Sequence, residues 1–408
     1  MSRFGLFVVS RAVSWVGNAL TMVTLPVLVY QRTGDPLITG LLAAFEGLPY
    51  LVLGLPAGAL VDRWGARRTM LTTTALSAVA MASIPVADRL GVLSTTQLLL
   101  VALATSSCFV FFDAGSFGAV PALVGRGGIG PAMAKLSGVS TVIGLAGPAA
   151  AGVLLVVLAP VTLIAVDAAT YVLSLLLLLP VRWNEARSSS GRGPLADIAE
   201  GLRYLWQQDV IRVLTLIGTA GSLAGGAVTG LLIVLASQRY GLGPGEAALG
   251  LLYAAGPAGA LLATVATPRL QRRLRIGTLS LGAWAVACVA LLALSLPSTW
   301  WLAAALLVCW QLAATVAILH AIIVRQTITP MPLQSRVNTT ARMIAWGGQP
   351  LGAAAGGAVA ATAGLTTALV LAALCCGVAV VGGATAGLRR APRLDALHTD
   401  DDGSPPAA

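Results

Sequence analysis

The sequence predicts an all-α membrane protein with twelve transmembrane helices in two six-helix bundles. Three observations carry that expectation: the balance of apolar to charged residues, the spacing of the polar breaks, and the side on which the basic residues fall. Of 408 residues, 57% are apolar and 10% charged, against about a quarter charged in a typical water-soluble domain. Too few charges remain to coat a globule in water. Lipid tolerates such a balance, provided that backbone groups bond internally, in helices or closed barrels. The apolar runs are long and lack the alternation of barrel strands. Helices are therefore expected, each needing about 20 apolar residues to cross a bilayer.

Breaks fall where charges, Gly and Pro cluster. Spans are expected near 5–30, 37–61, 69–87, 92–116, 135–157 and 161–181, then near 212–237, 246–268, 276–297, 300–324, 340–362 and 365–388, with 298–345 the most loop-rich stretch. The organisation follows as an N-terminal bundle over 1–182, a cytoplasmic linker over 183–211, a C-terminal bundle over 212–388 and a disordered cytoplasmic tail over 389–408. The linker opens with an Arg/Ser/Gly run at 187–193. Leu195, Ile198, Leu202, Leu205 and Trp206 then recur at helical spacing, an amphipathic helix for the inner membrane face or the bundle. The first residues read as part of a retained helix, since no small-residue cleavage site closes a short apolar core.

Orientation comes from the basic residues. With both termini cytoplasmic, 21 of the 25 Lys and Arg fall in inner segments, three (Arg32, Arg89 and Arg239) fall outside, and Arg11 lies within helix 1. A missed helix would swap every later loop and destroy the asymmetry. The net charge of +10 is thus a topology signal, and no nucleic-acid partner is expected. The five cysteines (Cys108, Cys288, Cys309, Cys375 and Cys376) lie in apolar stretches without metal-ligand spacing and read as packing residues. No metal or cofactor is expected.

The halves echo each other. Gln-Arg-x-Gly ends the first helix of each (from Gln31 and Gln238), Gly-Leu-Leu opens the second (from Gly40 and Gly250), and helices 4 and 10 run into Pro121 and Pro330. With the final Arg182 and Arg389, the offsets are 207, 210, 209 and 207. Parallel repeats of this kind place a substrate cavity between them near mid-membrane.

Between helices 2 and 3 stands GALVDRWGARR, at 58–68. Gly58 suits close helix approach, Gly65 a turn with positive φ, and Asp62 a helix N-terminus. Arg63, Arg67 and Arg68 can pair with acids or helix C-termini. Spacing and place resemble the loop 2–3 signature of the major facilitator superfamily, G-x-x-x-D-R-x-G-x-[RK]-[RK]. DIAEGLRYLW at 197–206, Phe112-Asp113-Ala114, Val166-Asp167-Ala168, Arg336-Val337-Asn338 and Pro350-Leu351-Gly352 resemble the macrolide-efflux and enterobactin-exporter-like branch. The resemblance implies an inner gate built from the 58–68 cluster, with Asp113 partnering Arg67. In helix 5, Gly144, Gly147, Pro148 and Gly152 partly match the G-P-x-x-G-G element of drug/proton antiporters, with Ala151 replacing one glycine. They serve helix packing equally well. Helix 4 lacks the Arg that many such antiporters place there for proton coupling.

A charge at the bilayer centre costs about 2.5–3.5 kcal/mol even on a lenient scale, so intramembrane polar residues are candidates for the substrate and proton pathway. Glu46 is midway along helix 2, with a structural hydrogen bond as its alternative. Arg11 could face an acid across the cavity or form a structural pair. Asn18, Asp167 and His320 complete the set, although a lone His on an apolar helix is commonly a packing residue.

The resemblance implies an exporter of amphipathic or lipophilic compounds (drug-, antibiotic- or siderophore-like), working by alternating access with the proton as coupling ion. The chain would act as a monomer in the cell inner membrane, its partners being a small-molecule substrate and the lipid bilayer, and would be no enzyme. Import of a small polar solute and a non-transporting scaffold or sensor are the alternatives. Cysteines placed singly in the connectors at 63–68 and 269–275 should react with an impermeant thiol reagent only in inverted vesicles. Labelling in intact cells would refute the topology.

Overall fold

The structure is a computed structural model and describes residues 2–183, 194–243, 246–296, 299–330 and 333–390. The 187–193 run and the tail beyond Arg390 lie outside the described residues. Six long helices come first: α1 (Arg3–Thr33), α2 (Pro36–Trp64), α3 (Ala66–Arg89), α4 (Thr95–Val124), α5 (Ile129–Leu154) and α6 (Pro160–Leu178). The linker helix α7 (Pro194–Gln207) follows. The second half has α8 (Asp209–Gly230), α9 (Leu232–Tyr240), α10 (Ala247–Arg273), α11 (Ile276–Ser295), α12 (Trp300–Ile328), α13 (Gln334–Ala363) and α14 (Leu365–Thr385). Helix starts are set by ordinary chemistry: the Ser2, Asp35 and Ser94 side chains accept from backbone N–H groups in the first turn, and Pro36 and Pro160 occupy it.

Among the described residues, eleven helices are long and apolar enough to cross a membrane. The twelfth long helix is α13, which carries Arg336, Asn338, Arg342 and Gln349. It packs between α2 and α8, so protein rather than lipid surrounds much of it. Two expectations need correction. The 298–345 stretch is mostly helical, because α12 extends to Ile328 and α13 reaches back to Gln334, which places Arg325 and Arg336 in helices. The seventh span is broken at Leu231 into α8 and α9.

The repeat is visible in atoms. Gly34 and Gly241, which close the two Gln-Arg-x-Gly segments, both end their helices in the left-handed conformation (φ 61° and 66°), where glycine carries no Cβ penalty. The arginine of each segment then reaches a backbone carbonyl near the third-to-fourth connection of its own half: Arg32 to Leu93 at 2.7 Å, Arg239 to Leu294 at 2.9 Å.

The glycines of the second matched pair also correspond. Gly40 meets Gly357 of α13 backbone to backbone, and Gly250 meets Gly152 of α5 in the same way; a Cβ on any of the four would strike the partner's main chain. Both contacts lie toward the end of the bundle opposite the basic loops. There one apolar core runs across both halves, joining Leu20, Val23, Ala151 and Leu163 to Leu249, Leu252 and Leu369. Tyr30 also accepts from Gln238 Nε2 at 3.1 Å across the halves.

At the basic end the cores are separate. Phe7, Met70, Phe112 and Leu178 form one, while Leu205, Ile211, Val337 and Ala341 form another. The second is built by α7, so the amphipathic linker helix docks on the bundle. Its Glu200 pairs with Arg336, and Gly201 lies against the Arg336 carbonyl. The molecule is therefore closed at one end and parted at the other. Gly152→Val should overpack the closed end, at a cost of about 1–3 kcal/mol, and lower the melting temperature of the purified protein. Unchanged melting would refute the contact.

Candidate functional site

A cavity of about 210 Å³ lies behind the closed end. Its polar lining comes from α1 (Asn18 and Thr21), α2 (Glu46 and Tyr50), α4 (Thr105 and Ser106) and α6 (Asp167 and Tyr171). Met22, Met81, Phe109 and Val110 supply the apolar wall.

The α1–α6 seam explains half of that lining. Gly17, Asn18 and Thr21 share one helical face; Asp167, Thr170 and Tyr171 share the facing one. A Cβ at Gly17 would run into the Asp167 carboxylate and the Thr170 hydroxyl, so the glycine sets how closely the helices approach. Asp167 is 1% exposed and accepts from the Thr21 and Thr170 hydroxyls. Beside it the Tyr171 hydroxyl donates to Asn18 Oδ1 at 2.7 Å. Burial of these polar groups is offset by hydrogen bonds, as a low-dielectric interior requires.

Glu46 differs. It is surrounded by packed helices yet remains exposed to a water-sized probe, because it faces open cavity space. Among the described residues no basic side chain lies within ion-pair distance of it. Tyr253 of α10 stands in the field of its carboxylate, and the Tyr253 hydroxyl is buried with no hydrogen-bond partner.

Toward the basic end a second cavity, of about 160 Å³, is lined by Arg11, Trp15, Asp113, Ser116, Ser137 and Ser140 among others. Arg11 sits 3.8 Å from Asp113 and lies over the Trp15 and Phe112 rings at 4.6 and 4.8 Å, a stacking that spreads its charge over π faces. Asp113 also feels Arg342 of α13 and the Tyr50 hydroxyl, which accepts from Arg342 Nη2 at 2.9 Å. A chain of polar groups thus runs from α1 through α4 and α2 to α13, across the two halves.

Several expectations change here. Asp113 faces Arg11 rather than Arg67. Arg67 instead donates to the Val181 and Leu179 carbonyls at 2.8 and 2.6 Å, fastening loop 2–3 to the C-terminal end of α6. Gly58 has nothing within 4 Å of the place a Cβ would occupy, so it is no close-approach site in this conformation; the basic-end contact it would serve is parted. Gly65 does adopt φ +88°. Arg63 and Arg68 are exposed, and the Asp62 side chain lies outside the described residues. In α5, Gly147 packs on Ala19 and Gly152 on Gly250, a Cβ on Gly144 would meet open space, and Pro148 is buried.

His320 stands apart from both cavities. Its Nδ1 meets Gln271 Nε2 at 2.9 Å and its Nε2 meets the Ile276 carbonyl at 3.3 Å, so both ring nitrogens are spent on tying α12 to α10 and α11. The reading along the chain missed Tyr171, Tyr253 and Arg342 as site residues. Tyr171 alone carried a signal, four residues after Asp167 on the same face. The others become neighbours only when the halves close.

Helices paired by a repeat and closed at one end around a polar cavity define a multi-pass membrane fold built from two similar halves. The chain belongs to the transmembrane secretion effector family of the major facilitator superfamily, whose model matches residues 2–404. It is similar to the multidrug efflux pump Tap of Mycolicibacterium fortuitum, 32% identical over 212 residues, or 49% of this chain and 51% of the relative. The namesake pump of Mycobacterium tuberculosis (strain ATCC 25618 / H37Rv) is 30% identical over 213 residues, covering 49% and 50%. The chain thus spans about half the length of the curated relatives it matches. In fold it is similar to a bacterial homologue of the human lysosomal transporter Spinster, in an inward-facing and occupied conformation, with TM-score 0.76, 13% identity, and 95% and 96% of the two chains covered.

Gly17→Val should destabilise the α1–α6 seam by about 1–3 kcal/mol, the usual cost of overpacking. It should lower the melting temperature of the purified protein. Unchanged melting would show that the seam opens freely.

Proposed function

We propose that this chain exports amphipathic or lipophilic small molecules from the cell by alternating access, with inward proton flow as the driving force. The observation that carries the reading is the cavity holding Glu46, an acid without a cationic partner among the described residues, beside methionine and phenylalanine walls. Thioether side chains are flexible and polarisable and adapt to ligands of different shape, which suits a broad substrate range. The multidrug pumps similar to this chain favour export over import.

The basic end is the cytoplasmic end in this proposal, and both termini lie in the cytoplasm of a cell whose inner membrane holds the protein. Substrate enters from that side or from the inner leaflet, past Arg11 and Asp113. Parting of the glycine contacts then opens the opposite side. Glu46 exchanges a proton with whichever compartment the cavity faces. The Arg11–Asp113–Tyr50–Arg342 chain is the contact that rearranges with the halves. The signature loop around Asp62 closes the basic end in the other state, where Gly58 meets its neighbour.

The test is accumulation of a lipophilic fluorescent dye in cells expressing wild type or Glu46→Gln at matched membrane levels, with and without a protonophore. Wild type should keep dye out until the protonophore is added. Glu46→Gln should abolish the protonophore-sensitive part. Equal accumulation in wild-type and empty cells across a broad panel rejects export; undiminished export by Glu46→Gln rejects that residue as the proton site.

A further inference from the structure

The second half contains a smaller cavity that the transport reading leaves unused. It lies between α8, α11, α12 and α13, has a volume of about 40 Å³, and is lined by Ser280, Trp284, Arg325, Arg342 and Trp346 among others. Arg325 is 6% exposed. Its Nε and Nη2 both donate to Asn338 Oδ1, at 3.1 and 2.6 Å, which fixes the guanidinium but brings no negative charge. Arg342 is held by the Tyr50 hydroxyl and lies 5.7 Å from the Trp346 ring centre.

Among the described residues no carboxylate lies within ion-pair distance of either arginine. The acid whose field Arg342 shares, Asp113, is already engaged by Arg11, and the two guanidiniums repel each other across the cavity. Ser280 is 1% exposed, and its hydroxyl is buried without a hydrogen-bond partner. A buried arginine without a counter-charge and an orphaned hydroxyl are each costly alone; with the half-buried Arg342 they line one cavity, where a bound anion would offset both costs. Size sets the class: a single water needs about 10–15 Å³ of such volume, so a carboxylate or halide fits and a phosphodiester does not.

We propose that this cavity binds a compact monoanion, a carboxylate group or a halide, between the guanidiniums of Arg325 and Arg342 with the Ser280 hydroxyl as a further donor. Bidentate geometry favours the planar carboxylate. The acid group of a transported compound and a free inorganic anion share this chemistry. Binding does not depend on export, so the two readings fail separately.

Full-length protein in detergent, titrated at constant ionic strength, reports binding through the tryptophans that line the cavity. Acetate and chloride are the anionic probes, and acetamide is the uncharged isostere of acetate. A saturable fluorescence change with acetate or chloride and none with acetamide is expected. Affinity should fall about five- to tenfold in Ser280→Ala, the loss of one hydrogen bond, and disappear in Arg325→Gln. Saturation by acetate alone assigns the site to carboxylates; saturation by both assigns it to compact monoanions generally. No saturable response in wild type, an equal response to acetamide, or wild-type affinity in a folded Ser280→Ala protein overturns the proposal. Ser280→Ala changes little volume, so the test survives if Arg325→Gln does not fold.

Discussion

The two halves touch main chain to main chain at four glycines, Gly40 with Gly357 and Gly152 with Gly250, and the rest of the architecture follows from that approach. In lipid there is little hydrophobic gain from bringing helices together, since lipid tails are as apolar as leucine. Association relies on close packing, and small residues permit it. Here the approach draws the apolar cores of both halves into one at the closed end. The basic end, without such contacts, keeps separate cores and open space between them.

Charge is handled in three ways along the pathway. Asp167 is buried and satisfied by hydroxyls at the α1–α6 seam, a structural arrangement that also fixes the cavity wall. Arg11 and Asp113 compensate each other at the basic-end mouth. Glu46 has cavity space around it and no basic side chain within ion-pair distance among the described residues. The polar character of α13 belongs to the same logic: a helix packed between α2 and α8 can carry Arg342 and Asn338 at a depth where lipid would reject them.

Much of this was written along the chain. Twelve helices, their side-by-side halves and the basic asymmetry needed only hydropathy and the count of arginines. Even the pseudo-equivalence of Gly40 and Gly250, read as a weak sequence match, proved to mark equivalent contacts in space. Asn18 and Asp167 were legible because an intramembrane polar residue is expensive wherever it points. Asp113 with Arg67 was misread because a place near the inner part of helix 4 says nothing of which helix face a neighbouring guanidinium reaches; Arg67 went to the end of α6. His320 was ambiguous along the chain, and in the structure its ring contacts Gln271 and the Ile276 carbonyl.

What the sequence determined by itself is the solvent. A chain with so few charges and such long, non-alternating apolar runs satisfies its backbone in lipid as helices, and its arginines gather in alternate connectors. What tertiary structure alone decided is which distant groups meet. Glu46 opposite Tyr253, Arg342 on Tyr50, and Arg325 with Ser280 around a cavity of their own are separated by tens to hundreds of residues. Their encounter depends on the crossing and rotation of packed helices. Helical periodicity tells which residues share a face of one helix; it carries no information about the face that will be presented by the next.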